Sequence, residues 1–461
     1  MIIMKFGGTS VKDAKSIRNV QSIIKRNLDK KPIIVLSAMA GITDLLEKAL
    51  QAAINQDPKR LKQYIDQIQV KHADTIHALF ENPEISVKIL HSINSEIEKL
   101  QILLSALETI RTENDNLTHA ILSTGEILSS QILNEFLKES GIIAKYVDAR
   151  KIMITTEPKK GIKPLPGDIK IAAKKHLIPL LKNNQVITTQ GYIAATLDGI
   201  PTTLGRNGSD YSASLLGAAL RVTEIQIWTD VDGILTADPT IVPYAKPLQV
   251  MTFEEACELA YFGARVLHPA SIQPALEKGI PVRVLNSHFP DEKGTVILTH
   301  ASGDEEENVR SIAYKEHITL ITIESSDLLF SPGILGEFFQ RMTKYGKHVY
   351  AVNKSATKLS LTLEKQDNLD EILTELNFSG DVKIESQKVI VSVVGKNLKN
   401  NPLIVWQIIK LLHEAGVHLD IISQMSSQIS FMFIIDEKDI EKTVTLLHKE
   451  FIEPYWLAKT A

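Results

Sequence analysis

A single cysteine, Cys257, is all the thiol chemistry this 461-residue chain carries. No internal disulfide can support it, so its stability must come from buried apolar area. The cysteine sits in the helical pattern Phe253-Glu254-Glu255-Ala256-Cys257-Glu258-Leu259, which predicts a buried structural side chain rather than a reactive thiol. Long apolar runs are missing as well. No stretch reaches the roughly 18 residues needed to span a bilayer, and the N-terminus enters a strand pattern at once, without a charged and apolar leader. Nor is there an excess of positive charge. Against 51 Lys and Arg stand 55 Asp and Glu, for a net charge of −4, so the chain is no general polyanion binder and any basic site must be local. These absences predict a soluble, cytoplasmic protein with no membrane and no nucleic-acid partner. The length exceeds one ordinary core and predicts two to four domains.

Two further absences narrow the chemistry. Neither a Gly-x-x-x-x-Gly-Lys-Ser/Thr loop nor a Gly-x-Gly-x-x-Gly fingerprint follows the first strand pattern, which removes the two commonest nucleotide motifs. What stands there is Met4-Lys5-Phe6-Gly7-Gly8-Thr9-Ser10-Val11. Ile2-Ile3-Met4 reads as a strand, Gly7-Gly8 as a turn at positive φ open to close ligand approach, and Thr9-Ser10 as the cap of a following helix. Free N–H groups at that helix start, with Lys5 beside them, would make a phosphate cradle. A Gly-Gly turn alone is equally an ordinary turn. The block Gly205-Arg206-Asn207-Gly208-Ser209-Asp210 adds an arginine able to hold a carboxylate bidentately.

Residues 1 to about 300 alternate apolar runs with amphipathic segments. Pro32–Leu36, Ala120-Ile121-Leu122, Gln185–Thr189 and Glu224–Trp228 read as strands, a pattern for helices on both faces of a mostly parallel sheet with ligands at the strand carboxyl ends. Between about 44 and 115 the pattern is helical, broken at Glu81-Asn82-Pro83, and its apolar stripe of Leu90, Ile93, Ile97, Leu100 and Leu104 reads as core. His72 and His77 lie there without a third ligand and read as ordinary helix residues. The polar stretch Ala301–Asn308 reads as a linker, placed at 301–310.

Beyond the linker, a repeat of 70 positions relates Ser331-Pro332 to Asn401-Pro402, Gly346 to Gly416, His348 to His418 and Leu359-Ser360-Leu361 to Ile429-Ser430-Phe431. Each unit reads strand, helix, strand, strand, helix. This βαββα order resembles the ACT domain, a ferredoxin-like regulatory module that binds amino acids; a duplicated dimerisation module that binds nothing is the alternative. The two copies are placed at 311–385 and 386–461, with the last segment expected to pair back onto the first copy.

The chain as a whole resembles the aspartate kinases of the amino-acid kinase superfamily. Seven blocks in the family's order carry the resemblance: the Lys5 block, Ser37-Ala38-Met39-Ala40-Gly41, Ser123-Thr124-Gly125-Glu126, Thr189-Gln190-Gly191-Tyr192, the Arg206 block, Trp228-Thr229-Asp230-Val231-Asp232-Gly233-Ile234, and Phe262-Gly263-Ala264-Arg265-Val266-Leu267-His268-Pro269. It implies a three-layer α/β catalytic domain over 1–300 and transfer of the γ-phosphoryl of ATP, with Mg²⁺, to the side-chain carboxylate of L-aspartate, the first step toward lysine, threonine and methionine. An acceptor with a pKa of about 3.9 is ionised at pH 7 and needs no general base. Catalysis then rests on positioning and charge neutralisation, in keeping with motifs rich in Lys, Arg and glycine.

By the resemblance, Lys5 faces the transferred phosphoryl group, Gly7 and Gly8 lend backbone donors, and Asp210 organises Lys5. Arg206 takes the α-carboxylate of the substrate and Glu126 its ammonium, with Ser37, Thr43, Tyr192, Gly208 and Ser209 around them. Thr229, Asp230, Leu235, Thr240 and Arg265 match nucleotide positions, and Asp232 reads equally as half of an Asp-Gly turn. Mg²⁺ keeps waters and bridges phosphates, so no all-protein metal cage is assigned. The chain departs from the family pattern at Leu235, where a tyrosine is usual, at Thr240, usually arginine, and at Arg265, usually lysine. Weaker ATP contacts are expected. Lysine-sensitive members carry an aspartate on the strand after the first repeat's helix; here Tyr350 stands there, with Asp420 in the second repeat. Weak lysine inhibition is therefore expected, with another amino acid such as threonine, or no effector, as alternatives. A monofunctional enzyme and a homodimer built through the repeats are expected. The competing readings are a kinase for another acidic metabolite and a catalytically weak amino-acid sensor.

Overall fold

The computed structural model describes residues 1–158, 161–183, 185–263, 267–300, 309–325, 334–344, 349–364, 381–396, 398, 401–424 and 429–454. Arg265, the linker residues 301–308, the repeat markers Ser331-Pro332, Gly346 and His348, and the terminal stretch 455–461 lie outside these. The chain divides into two compact units. The first holds 1–234, 247–256 and the described residues of 267–300; the second holds 235–246, 257–263 and the described residues from 309 on.

The first unit opens with β1 (Ile2–Phe6), α1 (Ala14–Lys25) and β2 (Pro32–Leu36), then five helices: α2 (Ile42–Ile54), α3 (Pro58–Leu79), α4 (Pro83–Ile110), α5 (Asp115–Leu122) and α6 (Thr124–Glu139). There follow β3 (Ala144–Tyr146), β4 (Ile154–Thr155), α7 (Pro166–Lys182), β5 (Val186–Gln190), β6 (Ile193–Thr196), β7 (Pro201–Thr203), α8 (Gly208–Leu220) and β8 (Glu224–Thr229). After β9 (Val250–Thr252) come α9 (Phe253–Tyr261), whose residues from Cys257 on belong to the second unit, then α10 (Pro269–Leu276), β10 (Val282–Asn286) and β11 (Thr295–Leu298). Eight of these strands form one sheet in the order β3-β5-β2-β1-β8-β10-β11-β9. Pairing is parallel throughout except between β10 and β11. Every residue of β1 and β2 is buried, as strands covered on both faces must be, and the carboxyl ends of β1, β2, β5 and β8 carry the sequence blocks.

Four readings of the sequence change. Ala120–Leu122 is the last turn of α5, not a strand: the Asn114 side chain caps the Leu117 amide at 3.2 Å and starts a helix that Ala120 and Leu122, good helix formers, simply continue. The helical stretch accordingly runs on through α6 to Glu139. Gly7 has φ −71, and neither Gly7 nor Gly8 takes a positive φ. Thr9 and Ser10 lie inside a short 3₁₀ turn, Gly8–Val11, while Asp13 caps α1 by accepting from the Ser16 amide. Cys257 is half-buried rather than buried. The apolar stripe of α4 does form core, with Leu90 partly buried beside it. His72 is buried, its Nδ1 on the Ile68 carbonyl at 2.7 Å, and burial pushes its pKa down to about 4.

In the second unit β12 (Ser311–Glu324), α11 (Ile334–Lys344), β13 (Val349–Lys354) and β14 (Lys358–Glu364) are followed by β15 (Asp381–Val394), α12 (Pro402–Glu414), β16 (Ile421–Gln424), β17 (Ser430–Asp436) and α13 (Ile440–Phe451). Both repeats share one antiparallel sheet, β13-β14-β12-β15-β17-β16. The register pairs Ser311 with Val394 and Glu324 with Asp381, so a shift of 70 positions carries one pair onto the other and relates the copies by a local two-fold at the β12–β15 centre. That centre is bulged, with His317 and Gln387, themselves 70 apart, both at positive φ. The segment 235–246 belongs to this unit's core through Ala237 and Val242.

Candidate active site

Lys5 is the one polar residue of β1 and is buried. Its Nζ lies 2.7 Å from Asp210 Oδ1, with both side chains about nine-tenths covered. Asp210 sits in the first turn of α8, whose entry is a bent loop: Gly205 and Asn207 both take positive φ, and Arg206 between them is exposed. A Cβ at Gly7 would stand 3.7 Å from Lys5 Nζ, so the amine hangs beside the glycine turn. Gly8 is required by contact: a Cβ there would meet the Ala38 carbonyl oxygen at 2.9 Å, and the Gly8 carbonyl accepts from the Ala40 amide at 3.2 Å. A buried, fixed charge, a close-packed backbone turn and the N-terminus of α8 thus converge, the arrangement a phosphate calls for.

Glu126 lies in the first turn of α6, drawn close by Gly125, where a Cβ would stand 2.7 Å from the Ala38 side chain. It is fully buried and its Oε2 has no hydrogen-bond partner among the described residues. Burial raises its pKa to about 8, against the lowering effect of the Ala38 amide. The β5–β6 turn meets α8 from the other side: a Cβ at Gly191 would strike Ser209 at 2.5 Å and one at Gly208 would strike Tyr192 at 2.8 Å. Tyr192 holds a positive φ of 65, a strained state for an aromatic residue, and its amide donates to Ser212 Oγ at 3.0 Å. Its phenol is raised by burial and bonds Thr203, with Glu126 near enough to push it further. Ser37 is half-buried at the end of β2, and Thr43 is half-buried in the first turn of α2. Lys5 and Asp210 are therefore joined by an ion pair, Gly8 and the Gly125–Glu126 turn by packing on Ala38, and Tyr192 and Ser209 by packing between the β5–β6 turn and α8.

On the other flank, the ends of β1, β8 and β10 are tied together. Ser10 Oγ donates to Ser287 Oγ at 2.9 Å, Ser287 donates to the Thr229 carbonyl, and the Gly7 amide donates to the Trp228 carbonyl at 3.1 Å. Thr229 Oγ1 donates to Asp230 Oδ1 at 3.1 Å, and Asp230 is exposed. Asp232 accepts from Asn286 Nδ2 at 2.7 Å. It precedes Gly233, whose φ of 124 and crowding against Thr295 make this a turn that needs glycine. Leu235 and Thr240 belong to the second unit. The Leu235 carbonyl accepts from Ser311 Oγ, and Thr240 donates through its amide and hydroxyl to Asp238 Oδ1, while Tyr314 holds Oδ2 at 3.0 Å.

Sequence reasoning missed Ser129, Ser130, Gln190, Asn286 and Ser287. The two serines follow Glu126 by three and four residues, the spacing of one helix face, and Asn286-Ser287 closes an apolar run; both signals were there to read. Among the described residues no group of three or more His, Cys, Asp or Glu is arranged to hold a metal ion, and no described helix is long and apolar enough to cross a membrane.

Residues 1–286 match the amino acid kinase family and 391–451 an ACT domain. Over 98% of the chain and 80% of the relative, the sequence is 34% identical to chloroplastic aspartokinase 1 of Arabidopsis thaliana. The crystal structure of E. coli aspartokinase III with aspartate and ADP superimposes with a TM-score of 0.81 at 31% identity, covering 97% of this chain and 99% of that one. The same enzyme with lysine and aspartate gives 0.84 at 31%, covering 98% and 99%.

Proposed function

We propose, from the premise that the chain belongs to the amino acid kinase family and within it to the aspartokinases, that the Lys5–Asp210 pair and its surroundings carry out the transfer. The reaction itself is phosphorylation of the aspartate side-chain carboxylate by ATP. A carboxylate oxygen attacks the γ-phosphorus, the bond to the β,γ-bridging oxygen breaks, and ADP departs with the electron pair; no proton moves at the acceptor. The residues need only hold two anions in line and neutralise the charge that builds between them.

Lys5 does the second task. Its ammonium is already fixed by Asp210 at 2.7 Å, so it need not reorganise when the phosphoryl group arrives. Arg206, exposed on its bent loop, takes the α-carboxylate of aspartate as a fork, while the unpartnered Oε2 of Glu126 takes the ammonium. Ser37, Thr43, Tyr192, Gly208 and Ser209 fill the remaining sides. Gly7, Gly8, Thr229 and Asp230 serve the nucleotide, with Leu235, Thr240 and Arg265 in the family's nucleotide positions. Thr229 and Asp230, oxygen donors at the end of β8, would lie beside Mg²⁺ brought in on the phosphates, and when bound the cation would supply positive charge against the nucleotide. The observation that carries the proposal is the buried Lys5–Asp210 pair beside the glycine turn. A coupled ADP-release assay with aspartate, glutamate and N-acetylaspartate tests it: strong preference for aspartate is expected, and equal use of N-acetylaspartate, which lacks an ammonium, would remove the role given to Glu126.

The same proposal includes the domain limits 1–300, 311–385 and 386–461, a homodimer formed through the repeats and a cytoplasmic setting, the last supported by a single cysteine and no use of disulfides. E. coli aspartokinase III has been crystallised with lysine; weak lysine control is proposed for this chain, because Tyr350 already bonds Glu364 at 2.8 Å with Lys315 over its ring and Asp420 already holds Lys388 at 2.7 Å. A lysine titration that inhibits at sub-millimolar concentration would overturn this.

A further inference from the structure

We infer that Ser129, Ser130 and Gln190 form a positioning unit that fixes the acceptor site from behind. A hydroxyl has one proton to give. Ser129 Oγ lies 2.8 Å from the Ser37 carbonyl and 3.2 Å from that of Glu126, so the shorter contact takes its proton to Ser37. Ser130 Oγ lies 2.6 Å from the Glu126 carbonyl and commits its proton there. The Ser130 oxygen is then left to accept, and Gln190 Nε2 donates to it at 2.7 Å. Gln190 Oε1 in turn accepts from the Ala149 amide at 2.8 Å, which fixes the orientation of the amide without ambiguity.

Ser129, Ser130 and Gln190 are all buried, where each such bond is costly to leave unmade. Gln190 is the last residue of β5, in register with Leu36, the last of β2. The chain of donors therefore pins three acceptor positions relative to one another: Ser37 after β2, Glu126 on α6, and Tyr192 two residues after Gln190. Tyr192 sits in a strained conformation and Glu126 is a dry carboxyl short of partners, two states that persist only where the surroundings over-determine them.

The same α6–β5 seam supplies its own control. Thr188 Oγ1 donates to Asn134 Oδ1 at 2.9 Å, an equally buried polar link two turns farther along α6 from Glu126. The test measures steady-state constants and thermal stability for Gln190→Leu, Ser130→Ala and the control Thr188→Val. Gln190→Leu and Ser130→Ala should each lower kcat/KM for aspartate roughly tenfold, the scale of one buried bond, with KM for ATP unchanged; Thr188→Val should lose stability and leave the aspartate constants alone. Should Gln190→Leu fail to fold, Ser130→Ala, which removes a single atom, decides. Equal losses in the control, or no loss in Ser130→Ala, overturn the inference. It rests on the acceptor-site proposal, and Glu126→Gln separates the two: if that variant uses aspartate normally, the acceptor site itself is misplaced and the inference falls with it, whereas a damaged Glu126→Gln beside a normal Gln190→Leu and Ser130→Ala overturns the inference alone.

Discussion

Among the described residues each unit of this chain buries one lysine, and the two are held differently. In the first unit Lys5 has Asp210 as its one carboxylate partner among the described residues. In the second, Lys388 is clasped by Asp420 at 2.7 Å and Asp436 at 2.8 Å, with Glu385 at 3.9 Å. Burial pulls the Lys388 pKa down, but hydrogen bonds to the two aspartates outweigh it and raise it, and the same bond lowers Asp436. The difference is one of unspent capacity. An ammonium has three donors: Lys388 has committed two to carboxylates and serves the fold, while Lys5 has donors left beside a glycine turn and a helix N-terminus, and can serve a reaction.

The sharpest way to break this comparison is to remove each charge. Lys5→Met should leave a folded protein whose kcat is lower by roughly 10²–10³, the usual worth of a preorganised electrostatic donor. Next in size is Arg206→Lys. A point charge cannot replace the guanidinium fork, so kcat/KM for aspartate should fall by about 1.5–3 kcal/mol with the ATP constant little changed; if only the ATP constant moves, Arg206 belongs on the other side of the site.

Lys388→Met should do the reverse of Lys5→Met. It leaves two carboxylates facing each other, one of them, Asp436, about one-third exposed, and should cost about 2 kcal/mol in urea unfolding, below the full penalty for a wholly buried pair, while turnover per folded molecule is kept. A loss of kcat with unchanged stability would show that Lys388 is not structural.

Glu126 sharpens the comparison through pH. Its pKa is raised to about 8 from 4.5, so between these values the folded state holds a proton that the unfolded state has released. Stability of the ligand-free protein should then fall as pH rises from 6 to 8, by roughly 1.4 kcal/mol per unit at most. Glu126→Gln should flatten that slope, and saturating aspartate should flatten it too, since an ammonium beside Glu126 favours its ionised form. A slope unaltered in Glu126→Gln would place the titrating group elsewhere.

Much of this was legible in the sequence because it lies in glycines and charges whose local chemistry admits few alternatives. Gly8, Gly191 and Gly208 are each forced by a specific close approach, and Lys5 and Asp210 are the only charged residues of their elements. The 70-residue repeat was visible too in the strands and first helix described for both copies, while the closing helix expected for the first copy lies outside the described residues; that both copies would join a single sheet through β12 and β15 was not visible. What was not legible depends on tertiary partners. Ala120–Leu122 is short and apolar enough for either strand or helix, and only the Asn114 cap decides. The Ser130–Gln190 bond joins residues 60 apart, and nothing local to either predicts it. The inclusion of Leu235 and Thr240 in the second unit likewise follows from Tyr314 and Ser311, far along the chain.

The most direct measurement traps the product. An acyl phosphate reacts with hydroxylamine to release phosphate and give a hydroxamate that forms a coloured complex with ferric ion, so wild type, Lys5→Met and Lys388→Met should be incubated side by side with aspartate, Mg²⁺–ATP and hydroxylamine and then developed with ferric ion. Hydroxamate that depends on both substrates, persists in Lys388→Met and is all but lost in Lys5→Met is the predicted result; formation in Lys5→Met at the wild-type rate would contradict the account.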